Sequence, residues 1–145
     1  MSVAGGAARA DVAPCDGAAS RTRLNVVVDG VRPAGGLIAI TLYADDATRF
    51  LVHRGQIGVF RTPAVAGTTR ACIALPDAGV YAIAVYHDAN GDYRFNRTAI
   101  GLPAEAWGFS NNPPTLLGLP SFASVRFQTQ PGDNAVRIKL HYPGR

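Results

Sequence analysis

No stretch of the chain approaches the ~20 consecutive apolar residues that a membrane-spanning helix needs, and no charged start leads into the apolar centre of a signal peptide. The chain is therefore expected not to be membrane-embedded. Basic charge is never concentrated: the net charge is +4, and the arginines, from Arg9 to Arg145, form no run. Nucleic-acid surfaces gather basic residues into a patch interleaved with aromatics, so nucleic acid is not an expected partner. Helical periodicity is nearly absent, which removes the helix bundle and the crossover helices of a parallel sheet. No Cys-x-x-Cys or Cys/His zinc spacing occurs, and the Gly-x-Ser-x-Gly elbow of a serine hydrolase is missing.

What remains is one domain's worth of chain, 145 residues with 48% hydrophobic and 17% charged residues, the balance of a globular protein. The 16 glycines and 10 prolines imply many turns. The first twenty residues, "MSVAGGAARADVAPCDGAAS", are small and aperiodic and read as a flexible leader or the remnant of export processing. Residues 21–143 are read as the single domain. The two cysteines, Cys15 in the leader and Cys72 in a predicted strand, either form a disulfide or stand as unrelated thiols. A disulfide would close a long loop, contribute about 4 kcal/mol in the chain-entropy picture, and require an oxidising compartment.

Period-two alternation recurs between turn residues along the whole chain. Strands are predicted in "RLNVVVDG", in Leu37 to Tyr43, in Ile57 to Thr62, in Thr68 to Leu75, in Val80 to His87, in "FASVRFQT" and in "AVRIKLHY". Leu37 to Tyr43 is apolar on both faces and is expected to be central. One helical turn is drawn, capped by Asp45 or Asp46 and tucking Phe50 and Leu51 under a sheet. "DAGVYAI" has the spacing of a tyrosine corner, with Tyr81 bonding back to the backbone upstream; an ordinary interior tyrosine is the plainer alternative. The expected fold is an all-β, antiparallel sandwich of seven to eight strands, immunoglobulin-like or transthyretin-like, with a long packed loop.

That loop runs over residues 97–121, where no strand pattern is visible but Ile100, Leu102, Trp107, Phe109, Leu116, Leu117 and Leu119 are too apolar to leave in water. It is expected to fold back as a lid. Within it, "WGFSNN" sets Trp107 and Phe109 beside Ser110, Asn111 and Asn112, an aromatic-plus-amide set suited to a sugar, a peptide or another polar ligand. The alternative is that Trp107 plugs the lid while the asparagines bond their own backbone.

"YHDANGDYRFN" places Asp88, Asn90, Asp92 and Asn96 at alternating positions, as a calcium loop requires. The sixth position is Tyr93 rather than glycine, the twelfth is Ala99 rather than an acid, and Arg94 and Arg97 stand close by. Calcium is therefore the weaker reading, a turn at Asn90-Gly91 the stronger, and no cofactor is expected. The loop also carries His87 and Asp88 to a strand end, where an imidazole serves as acid/base, as metal ligand or as plain surface.

"GLIAITLYADDATRFL", "LPDAGVYAIAVYHDANGDYRFNRTAIGLPAEAWGFSNNPP" and "GLPSFASVRF" together resemble the exported bacterial family known as domain of unknown function 2141, from about Arg23 to Tyr142. The resemblance implies a periplasmic or secreted β-sandwich whose signal peptide has been removed, and no activity that can be carried over. In that family the loop more often has glycine at the sixth position and an acid at the ninth, where this chain has Tyr93 and Asn96. The reading is a non-catalytic module that binds a polar ligand, a glycan or an envelope protein through residues 87–96 and 107–112. His87, Asp88, Trp107, Phe109, Ser110, Asn111 and Asn112 are its candidate contacts. Alternatives are a structural subunit of an envelope assembly and a metal-dependent or acid/base enzyme centred on His87 and Asp88.

Overall fold

The computed structural model describes residues 15–17, 19–33, 35–91, 105–115 and 119–143. Among them are eight strands: β1 (Thr22–Val31), β2 (Leu37–Ala44), β3 (Gly58–Pro63), β4 (Gly67–Leu75), β5 (Val80–Asp88), β6 (Trp107–Phe109), β7 (Phe127–Gln128) and β8 (Gly132–Lys139). A single helical turn, α1 (Phe122–Val125), lies between β6 and β7. The strands form two sheets, one in the order β4-β1-β8 and one in the order β3-β2-β5-β6 with β7 beside the start of β5. Pairing is antiparallel except for β1 with β8, the first and last strands, which run parallel from Thr22↔Gly132 to Asp29↔Lys139.

Alternation decides which side chains meet between the sheets. Leu24, Val26 and Val28 of β1, Ile73 and Leu75 of β4, and Ile138 of β8 face Ile38, Ile40 and Leu42 of β2 and Ile83 and Val85 of β5, and none is more than 2% exposed. Each such side chain is worth about 2 kcal/mol removed from water, and the interleaved rows make the all-β sandwich. As its two-sided apolarity suggests, β2 is central, flanked by β3 and β5. The tyrosine corner is formed: the Tyr81 hydroxyl donates to the Asp77 carbonyl at 2.7 Å. Thr129 ties the same corner to β7, donating to Gly79 O and accepting from Gly79 N.

A second, smaller core covers the outer face of the β3-β2-β5-β6 sheet. Tyr43, Phe50, Ala82, Phe109 and Val125 are buried there, with Trp107 and Phe122 packed against them. Phe50 meets Tyr43 edge-on at 5.2 Å and Phe109 at 6.2 Å. Asp46 caps the turn that delivers Phe50, accepting from the Thr48 amide. Leu51, expected to tuck beside Phe50, is 36% exposed instead, because its positive φ of 58° turns it away.

Two further expectations change. "FASVRFQT" is not one strand: Ser121 accepts the Ser124 amide and starts α1, which buries Val125, and only Phe127–Gln128 is extended. The stretch without visible strand pattern contains β6, which pairs with β5 through Ala84↔Phe109 and Tyr86↔Trp107. Cys15 and Cys72 form a disulfide, and Asp16 bridges to Ile73, so the end of the leader lies along β4.

Candidate functional site

β5 carries the chemistry of this site, and its period-two alternation divides it. His87 continues the inward series Tyr81, Ile83, Val85, whereas Asp88 continues the outward series Ala82, Ala84, Tyr86. The two residues therefore serve opposite faces of one strand.

His87 is 1% exposed and closes one end of the core. Gly35 O lies 2.6 Å from Nε2 and can only accept, so Nε2 carries the hydrogen. Nδ1 then accepts from the Tyr142 hydroxyl at 2.7 Å, and the Tyr142 oxygen accepts the Arg32 amide at 2.8 Å. The tautomer is assigned from this network. The Arg32 guanidinium sits 4.3 Å above the Tyr142 ring, a cation–π contact that braces the same cluster. The result joins the β1–β2 loop, β5 and the chain after β8 through one imidazole. The His87 amide also donates to Ala106 O, so the end of β5 is held to the segment before β6.

The outward face is different. Cross-strand register aligns Arg61 on β3 with Ala39 on β2, Ala39 with Tyr86 on β5, and Tyr86 with Trp107 on β6. An isolated bridge then pairs Trp107 with His141. One row thus crosses the sheet as Arg61, Ala39, Tyr86, Trp107 and His141. Arg61 hydrogen-bonds Tyr86 across the small Ala39, and burial pushes the Tyr86 phenol above the ordinary tyrosine value while Arg61 pulls it down. Trp107 is half-buried; its indole N–H donates to Thr115 Oγ1 at 2.9 Å, and its ring lies 6.1 Å from the exposed His141 ring. Tyr86 and Arg61 carry no site signal of their own in the sequence, although the parity of β5 already puts Tyr86 on the face of Asp88.

The polar part of "WGFSNN" is bonded within the fold. Ser110 is fully buried, accepts the Ile83 amide at 3.1 Å and donates to Val125 O at 2.5 Å. Asn111 donates to Ser124 O and Arg126 O, and Asn112 donates to Arg137 O while accepting the Lys139 amide. Both asparagines are exposed and have positive φ, 67° and 48°, a conformation asparagine tolerates better than most residues. Trp107, Phe109 and Asp88 thus share the outer face, Ser110 to Asn112 form the turn beside it, and His87 lies behind it. Asp92, Asn96 and residues 97–104 lie outside the described residues, and with them half of the calcium candidates and much of the proposed lid. Among the described residues no group of three or more His, Cys, Asp or Glu side chains is placed to hold a metal.

A family model described as "Uncharacterized protein conserved in bacteria (DUF2141)" matches residues 26–137. Neither the curated proteins nor the solved structures contain a match to the chain.

Proposed function

The chain belongs to this uncharacterised bacterial family, DUF2141, and from that premise we propose that it is an exported, non-catalytic module that binds a glycan on the outer face of its five-stranded sheet. The observation that carries the proposal is the row of Tyr86, Trp107 and His141 on adjoining backbone, with Arg61 at its far end. Half-exposed aromatics held on strands offer flat contact area at little entropic cost, and sugar rings stack on such faces. The Trp107 N–H is already satisfied by Thr115, so a ligand meets the ring rather than the nitrogen. Asn111 and Asn112, exposed but bonded to the fold, border the face, with the buried Phe109 beneath it and the buried Asp88 further along β5. The disulfide supports an oxidising compartment, the periplasm or the exterior.

A glycan array probed with the purified protein tests this. Trp107→Ala should weaken binding at least tenfold, and His141→Ala, on an exposed residue, a few-fold, in variants whose circular dichroism is native. Full binding by both folded variants, or binding of envelope protein and no glycan, contradicts the proposal. The structural-subunit reading draws on the exposed Leu51, Val52 and Ile57, which suit a protein neighbour.

A further inference from the structure

The two sheets leave a gap on the side where β3 and β4 form their edges. The described residues Cys15, Asp16, Gly17, Ala19 and Ser20 lie along that gap as a strap. Its backbone pairs with β4: the Asp16 amide donates to Cys72 O at 2.9 Å and Asp16 O accepts the Ala74 amide at 2.7 Å. The disulfide to Cys72 fixes its start, and Gly17 passes so close that a Cβ there would lie 3.2 Å from Ala74 O and 3.9 Å from the Phe60 ring. The strap seals the gap incompletely, because the side chains that it contributes are small.

Beside it lies a cavity of about 570 Å³, walled by Leu42, Ile57, Phe60, Leu75 and Pro76, to which Gly17, Ala19 and Ser20 of the described strap residues also contribute before Arg21 and Thr22. Leu42 and Leu75 at its floor are among the most buried residues of the core, and Ile57 at its mouth is 46% exposed. The volume falls within the ~300–1,000 Å³ of small-molecule sites. An extended backbone pairing with a sheet edge above an apolar hollow is the arrangement by which strands are added to sheets, with main-chain bonds supplying affinity and pockets selecting side chains.

We propose that this cleft is a docking site for an extended peptide segment of a partner protein bearing a bulky apolar side chain, and that the strap occupies it as a built-in, underfilled occupant. The occupant class is read from the strap itself: it is extended peptide, it uses the outward backbone groups of Cys72 and Ala74, and it leaves the hollow unfilled. Access requires the latch to open. A dithiol reductant attacks the Cys15–Cys72 bond through one thiolate, forms a mixed disulfide, and closes on itself with its second thiol. Both cysteines are left as thiols and the reductant as a cyclic disulfide. The site is separate from the aromatic row and does not depend on glycan binding.

The probe is a fluorescent peptide copying Cys15–Thr22 with Cys15→Ser and Ala19→Leu, titrated by polarisation against the full chain. Saturable binding is expected to the protein after dithiothreitol and to the Cys72→Ser variant, at least tenfold tighter than for the same peptide retaining Ala19. The oxidised protein should bind at least tenfold more weakly than either open form. Equal binding to oxidised and open forms overturns the proposal, as does absence of binding to open forms whose circular dichroism is native. Uptake of a fluorescent fatty acid without peptide binding would make the cleft a lipid site, and a reduced dimer that excludes the peptide would make a second copy the occupant; either result overturns it.

Discussion

The two lateral edges of the sandwich are closed by opposite means. On the β6/β8 side, Gly108 lets the backbones meet so closely that a Cβ would fall 2.7 Å from Lys139 O and 2.8 Å from Ile138 Cγ2. Asn112 then stands in for a strand, bonding Arg137 O and the Lys139 amide, and Trp107 and His141 exchange both backbone bonds. On the β3/β4 side a strap of small residues is tied to β4 by two backbone bonds and one disulfide, with a cavity left between it and the β3 edge. The first edge is sealed by packing and hydrogen bonds that form only with the whole fold. The strap along the second edge is held to β4 by a covalent bond that a thiol can reverse. The strap can therefore detach from β4 on one side while the β6/β8 edge stays closed on the other.

The comparison can be broken most severely at Gly108. Gly108→Ala forces β8 away from β6, since the colliding atom is backbone and cannot rotate aside. A loss of about 3 kcal/mol, roughly 10 °C in Tm, is expected by thermal denaturation. An unchanged Tm would mean that the β6/β8 contact is loose. Asn112→Ala should cost less, about 1 to 2 kcal/mol by urea denaturation, because two backbone groups of β8 lose their partner and a residue with a Cβ but no compensating amide is left at positive φ. Asn112→Gly keeps the conformation and loses only the amide, so it should recover part of that loss. Equal stability of both variants and the parent would show that the turn does not hold the edge.

The centre of this fold was legible in the sequence and its edges were not. β1, β2, β4 and β5 are long enough for alternation to repeat several times, and the Tyr81 corner and the cysteine pair carry their own signals. β6 has three residues and α1 has four, too few for any period to show. The strand read into "FASVRFQT" failed because Ser121 caps a turn there and Val125 packs on the outer face of the β3-β2-β5-β6 sheet. In the candidate site, the aromatic content of "WGFSNN" was visible, but the partners of Asn111 and Asn112 are backbone groups of α1, the residue after it and β8, brought there by the fold. The strand-end position of His87 is legible, and Tyr81, Ile83 and Val85 before it already mark its parity as inward. The row from Arg61 to His141 joins residues on four strands and the chain after β8, and register between strands is not written in any one of them.

Amide hydrogen exchange, followed residue by residue before and after reduction with dithiothreitol, tests the contrast between the edges most directly. The Ala74 amide, bonded to Asp16 O on the strap, should lose protection when the disulfide opens. The Lys139 amide, bonded to Asn112 Oδ1 on the other edge, should keep its protection. Loss at both amides, or at neither, would contradict the account.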